Sequence, residues 1–211
     1  MKWADLDTLP VAEVTPENYR YEQLKRADIE ETARCVREWH PDVSVGSASG
    51  FHHEAFYRQR ASLAGEPERD LIVYVCKHAG RIVSLMSIER DPESLVIRSR
   101  LASVSPAHRG SGLARFGVFI TDEQSRAMGI AMAYHQVSLK TPYAQQLVER
   151  CGFKLVGILP ASDREMVEPG VVLHVPEALY AKVYAPCSEL YIPADECMTP
   201  SVRQMWTQLF E

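Results

Sequence analysis

A chain of 211 residues with 46 % hydrophobic and 24 % charged residues is most simply one soluble globular domain with room for a substantial core. Its formal net charge of −5 argues against a nucleic-acid partner, since no Lys/Arg-rich run offers a phosphate-tracking surface. No run approaches the ~20 apolar residues that a bilayer span needs, and Met1-Lys2-Trp3-Ala4-Asp5 is no basic-then-apolar leader, so a cytoplasmic protein without membrane contact is expected. Cys35, Cys76, Cys151, Cys187 and Cys197 are odd in number and lack a C-x-x-C pair; they read as reduced thiols.

Residues 1–19 are acidic, contain Pro10 and Pro16 and show no period; an arm, docked or frayed, is expected. Tyr19 to Leu24 can form a strand, and Ala27 to Trp39 an amphipathic helix with Ile29, Ala33 and Val36 on one face. His40-Pro41 stops it. Val43 to Gly50, rich in Ser and Gly, predicts a mobile loop, and Phe51 to Leu63 a second helix ending near Gly65 and Pro67. Leu71 to Cys76 and Arg81 to Ile88 flank Lys77-His78-Ala79-Gly80, a hairpin signal. A strand Leu95 to Ser105, a helix 112–129 and a strand Ile130 to Ser138 follow. In the next helix Thr141 is placed to cap, Pro142 sits at the first position and Gly152 ends it. Phe153 to Leu159 and Ala178 to Tyr184 read as strands separated by a loop holding Pro160, Pro169, Gly170 and Pro176. Pro200 to Phe210 can form a terminal helix capped by Thr199. The order β-α-α-β-β-β-α-β-α-β-β predicts a mixed α/β sheet.

The chemistry concentrates in Val104-Ser105-Pro106-Ala107-His108-Arg109-Gly110-Ser111-Gly112-Leu113-Ala114. A basic, side-chain-poor turn at a helix start points unpaired N–H groups at one spot, backed by the positive end of the helix dipole. That arrangement holds phosphate or pyrophosphate, and glycines let the backbone approach it.

These residues resemble the acetyl-CoA motif of the GNAT N-acetyltransferase superfamily, V-x-P-x-x-[R/Q]-x-x-G-x-[G/A], at Val104, Pro106, Arg109, Gly112 and Ala114. A second family pattern, N-x-x-A-x-x-L-Y-x-x-x-G-F, is similar at Ala144, Leu147, Gly152 and Phe153, with Thr141 and Val148 in place of the Asn and Tyr. The resemblance implies one acyltransferase domain over residues 1–211, with a core of about 19–185 and an extension 186–211. It implies a mostly antiparallel, six- to seven-stranded sheet with helices on both faces. It further implies that amides of Arg109, Gly110, Ser111, Gly112, Leu113 and Ala114 cradle the CoA pyrophosphate. Pantetheine would then lie along Ala102, Ser103 and Val104, flanked by Thr141 and Ala144, and the Val104 amide would polarise the thioester carbonyl. The implied reaction is acetyl transfer from acetyl-CoA, as co-substrate and without a metal, to a small-molecule or peptide amine. The alternatives are a longer acyl-CoA donor, or a CoA-binding regulatory module without transfer, motivated by the missing Tyr.

An acceptor with a Lys-like pKa of ~10.4 is mostly protonated at pH 7, a deficit of roughly 4.6 kcal/mol that calls for a base. Glu89, Glu93 and His135 are the available candidates, with Glu89 and His135 favoured. For His135 a hydrogen-bonded sheet histidine is the plainer reading. Cys151 or Tyr143 could stand in for the missing acid, although Cys151 reads more simply as a core thiol. Arg98 and Arg100 share one strand face, either gripping an acidic group of the acceptor or pairing with Glu or Asp from neighbouring elements. His52-His53-Glu54 lacks metal-ligand spacing. The apolar side of 198–210 could cover a sheet edge or form a dimer surface, so a monomer or a homodimer is expected.

Overall fold

Residues 71–76 are buried on both sides, and that decides the architecture. Leu71, Val73 and Val75 join one apolar cluster, while Ile72, Tyr74 and Cys76 join another. A strand with two apolar faces needs a layer of helices over each. The computed structural model describes residues 1–210 and supplies both layers.

In chain order the elements are β1 (Tyr19–Gln23), α1 (Ile29–Trp39), α2 (Glu54–Arg60), β2 (Ala61–Ser62), β3 (Leu71–His78), β4 (Arg81–Asp91) and β5 (Val96–Val104). Then come α3 (Ala114–Met128), β6 (Met132–Ser138), α4 (Tyr143–Arg150), β7 (Lys154–Glu168), β8 (Val171–Val183) and α5 (Pro200–Phe210). The eight-stranded sheet runs β1-β3-β4-β5-β6-β8-β7, with β2 beside β3. Pairs are antiparallel except β2–β3 and β5–β6. Helices α1 and α2 pack through Ile29, Val36 and Tyr57 on one face, and α3 and α4 through Phe116, Ile120 and Val148 on the other. The expected order of elements therefore holds, with the two-residue β2 as an additional strand.

Local chemistry explains the turns. Ala79 (φ 48°) and Gly80 (φ 77°) are both left-handed, the backbone a tight β3–β4 hairpin requires. The N-terminal arm is docked: Trp3 donates its indole N–H to the Arg69 carbonyl (2.8 Å), and the Gln124 side chain bonds both the Ala4 amide (2.9 Å) and carbonyl (2.8 Å).

Two expectations are corrected. Residues 160–177 are not a loop between short strands but the body of a long β7–β8 arm. Leu159 pairs with Glu177 and Asp163 with Val175, so Pro160, Ala161 and Ser162 bulge opposite Pro176 alone. Proline is tolerated at a bulge because no ladder bond needs its missing N–H. The stretch 43–50 is held rather than free. Asp163 accepts from the Ser47 amide (2.8 Å) and hydroxyl (2.7 Å), and Lys140 bridges Asp42 and Glu165. A Cβ on Gly46 would fall 2.3 Å from the Arg164 carbonyl oxygen and from Asp163 Oδ1, so only glycine fits that approach. Among the described residues no helix is long and apolar enough to cross a membrane.

Candidate active site

Strand β5 ends at Val104, and a single 3-10 turn, Pro106–His108, leads to Gly110 (φ 81°) and Gly112 (φ 89°) before α3 begins. The Arg109 amide reaches the Pro106 carbonyl (3.4 Å) and the Arg115 amide the Gly112 carbonyl (3.0 Å). Between them the amides of Gly110, Ser111, Gly112, Leu113 and Ala114 donate to no acceptor among the described residues. They stand at the positive end of a 15-residue helix. A Cβ on either glycine would meet nothing within 4 Å, so positive φ, not packing, demands glycine, and the space outside the turn is open. The donor set and the open space beside it fit a pyrophosphate. The turn is pinned from behind: the Tyr21 hydroxyl donates to the Leu113 carbonyl (3.1 Å), and the Tyr21 ring stacks on Phe116 at 3.6 Å between centroids.

The parallel pair β5–β6 lasts only three rungs, Val96–Met132, Ile97–Ala133 and Arg98–Tyr134, after which the strands separate. A bulge contributes to the separation. Ser87 faces Leu101 while Ile88 faces Ser99, leaving Arg100 as the extra residue, and a bulge bends and twists its strand. The Ser87 hydroxyl bridges the disrupted ladder, accepting from the Leu101 amide (3.0 Å) and donating to its carbonyl (3.1 Å). The gap opens into a cleft of about 440 Å3, within the range of small-molecule sites. Ala102, Val104, Ala114, Gly117, Thr141 and Ala144 line it with small or uncharged groups, and Arg98, Arg100, Gln136, Asp163, Glu165 and Glu177 with charged or amide groups. A hollow of about 880 Å3 at the far ends of β4 and β5 contains Arg60, Arg90 and Arg98, each already paired with an acidic side chain.

The cleft gathers some of the residues singled out from the sequence and leaves others out. Ser103 points to the opposite face, beside Leu85, and its hydroxyl is buried without a partner. Glu89 lies outside the lining, within 2.8 Å of Arg60, 2.8 Å of Arg98 and 3.3 Å of Arg100. Burial pushes its carboxyl up, but the Arg98 hydrogen bond and the charges of Arg100, Arg98 and Arg60 outweigh that and hold it below its ordinary range. A carboxylate so stabilised is a weak base. Arg98 and Arg100 thus pair within the sheet layer. Burial lowers Arg100 and the opposing pull of Glu89 does not offset it; three guanidiniums sharing one carboxylate leave positive charge in excess.

His135 lines the cleft wall, 5 % exposed, edge-on to Phe153 at 4.7 Å, with Nε2 buried and unpartnered. Burial pushes it down to about 4, so the ring is neutral at pH 7. The unfolded chain protonates near 6.5 and the folded one only near 4. Stability from this group is therefore whole above pH 6.5, and about 3 kcal/mol is lost as pH falls to 4. Urea unfolding of wild type and His135→Gln across pH 7 to 4 checks this: the variant should show a flatter decline, and equal slopes would sink the assignment.

Cys151 closes α4 outside the cleft, and burial raises its thiol, so it holds little thiolate. Tyr143 stands at the cleft mouth, 77 % exposed, and Val148 is buried in the wall. Thr141 does not cap: Pro142 occupies the cap position, and the Thr141 carbonyl accepts from the Gln145 side chain (3.0 Å). Glu93 is exposed in the β4–β5 turn. The His52 ring pairs with the His40 carbonyl, and no cluster suited to a metal occurs among the described residues.

The sequence reading missed the acidic wall of Asp163, Glu165 and Glu177. The alternation Asp163-x-Glu165-x-Val167, which puts both carboxylates on one strand face, is the signal that could have found it.

No family sequence model matches the chain, and no curated protein matches it by sequence. Solved structures do match by shape. The ribosomal-protein-S18-alanine N-acetyltransferase of Escherichia coli superposes with a TM-score of 0.61 at 13 % identity, covering 82 % of this chain and 99 % of that one. A dodecameric spermidine N-acetyltransferase from Vibrio cholerae gives 0.60 at 17 % identity, with coverages of 79 % and 94 %. An IAA acetyltransferase from Bacillus cereus gives 0.56 at 14 %, with coverages of 79 % and 99 %. The chain has the fold of the GNAT N-acetyltransferase superfamily.

Proposed function

We propose that the protein transfers an acetyl group from acetyl-CoA to the primary amine of a small-molecule or peptide acceptor, by direct attack within a ternary complex. One observation carries this reading: a single cleft runs from Ala114, the last of five successive undonated amides, to a charged wall that includes Arg100, Asp163 and Glu177. The amides of residues 110–114 and the Arg109 guanidinium are the groups to hold the pyrophosphate. Past Arg98, β5 has no partner strand on its β6 side, so the backbone of Ala102 to Val104 can take an extended arm in the manner of an added strand. When bound, acetyl-CoA supplies an activated acyl group as its thioester. Val148, lacking a hydroxyl, offers no proton to a leaving thiolate. That gap favours, as the second reading, a CoA-binding module without turnover.

The test is calorimetric titration with acetyl-CoA, followed by thiol release against a panel of amines. Binding with release supports transfer, binding without release supports the module, and no binding overturns the site. The excess positive charge at Arg100 suits an acidic group on the acceptor. Arg100→Ala is then expected to raise KM for anionic acceptors several-fold while acetyl-CoA affinity stays the same. An equal effect on neutral amines would remove Arg100 from acceptor binding.

A further inference from the structure

We infer that Glu177, on the β7–β8 arm, is the general base that accepts the acceptor amine's proton. This rests on the transferase reading above. Glu177 lies on β8 opposite Ser138 of β6, beyond the point where β6 leaves β5, and it lines the cleft. Its Oε2 accepts from the Ser162 hydroxyl (2.6 Å) and the Gln136 amide (3.2 Å). No Lys, Arg or His is paired with it among the described residues. Oε1 has no partner among the described residues and is the oxygen left to meet an amine.

The bulge at 160–162 makes this arrangement. Three residues opposite Pro176 turn Ser162 toward Glu177 and carry Asp163 onto the same wall. Neutral donors orient a carboxylate without stabilising its anion as a guanidinium does, which separates Glu177 from Glu89. Burial raises the Glu177 carboxyl, and the charges of Asp163 and Glu165 raise it further against the Ser162 hydrogen bond. A base poised closer to working pH transfers protons better. Among the described residues Asp163 is engaged only by Ser47 and the Arg164 amide, so the wall keeps negative charge that draws in an ammonium.

The proton and electron balance is complete. Glu177 takes one proton from the ammonium and returns it to solvent at the cleft mouth. The freed nitrogen lone pair forms the bond to the acetyl carbon, while the carbon–sulfur bond breaks with its pair going to sulfur. A second nitrogen proton neutralises that sulfur, leaving amide, thiol and one proton in solution.

The experiment compares Glu177→Gln with wild type, using the best primary amine of the panel and hydroxylamine, which is already unprotonated at pH 7. The expected result is a loss of about 10²- to 10⁴-fold in kcat with the amine. The loss should be less than tenfold with hydroxylamine, and should shrink with the amine as pH rises toward its own pKa. Acetyl-CoA affinity by calorimetry and Tm should match wild type. Independently of turnover, the Glu177 side-chain carboxyl, followed by carbon-13 NMR, should titrate above the ordinary glutamate range. Equal losses with both nucleophiles, or wild-type rates in Glu177→Gln, overturn the assignment. Should Glu177→Gln fail to fold, Glu177→Asp, its carboxylate set back by one methylene, should show the same selective loss. A wild type that releases no thiol with any amine refutes the transferase reading itself, an outcome distinct from an active Glu177→Gln.

Discussion

Gly112→Asp is expected to abolish calorimetrically detectable CoA binding. At φ 89° any L side chain is strained, at roughly 1–2 kcal/mol. The new Cβ meets no protein atom within 4 Å, so the protein itself leaves room for the side chain. The carboxylate would project into the open space outside the turn that carries the five free amides. At about 4 Å from a phosphate charge and an effective dielectric of 20, repulsion costs about 4 kcal/mol, close to a thousandfold in affinity. Gly112→Ala carries the strain without the charge and should lose far less. Retained binding in Gly112→Asp would remove the phosphate-site assignment. Should that variant fail to fold, Arg109→Ala, which leaves every glycine in place, tests the same site.

The second large effect is on stability. Phe116 is 1 % exposed, stacked on Tyr21 and edge-on to Tyr74 at 5.9 Å, and it lies in the first turn of α3. Phe116→Ala removes a ring from a close-packed site and should cost about 3–5 kcal/mol in urea unfolding. For a chain of this size that corresponds to a fall in Tm of roughly 6–20 °C. Phe116→Leu should recover most of the loss. A cost below about 1 kcal/mol would mean that the ring does not anchor α3. Because Tyr21 touches both Phe116 and the Leu113 carbonyl, the same ring ties the core to the turn. CoA affinity in Phe116→Ala should fall along with stability.

Much of this was legible without coordinates. The turn at Gly110 and Gly112, the β3–β4 hairpin and the helix ends at Gly129 (φ 67°) and Gly152 (φ 82°) depend on glycine's freedom at positive φ. The helices depend on apolar spacing. These are preferences of a few consecutive residues, so the chain order of elements could be read directly. Pro160 and Pro176 misled for the same reason. Each breaks a strand pattern locally, and only the pairing of β7 with β8 sets them against each other in one bulge.

The charged groups needed the tertiary structure. Glu89 looked like a free base until Arg60, 29 residues away, and Arg98 and Arg100 across the β4–β5 pair closed on it. Glu177 looked like a loop residue until Ser162 and Gln136 oriented it, with no cation paired to it among the described residues. Ser47 and Asp163 turned a Ser/Gly-rich stretch into a clasp across 116 residues. Backbone conformation follows from neighbours along the chain, and so the glycine turn before α3 was determined by sequence alone. The acid–base character of a side chain follows from burial and from charges within a few ångströms, and only folding brings those together.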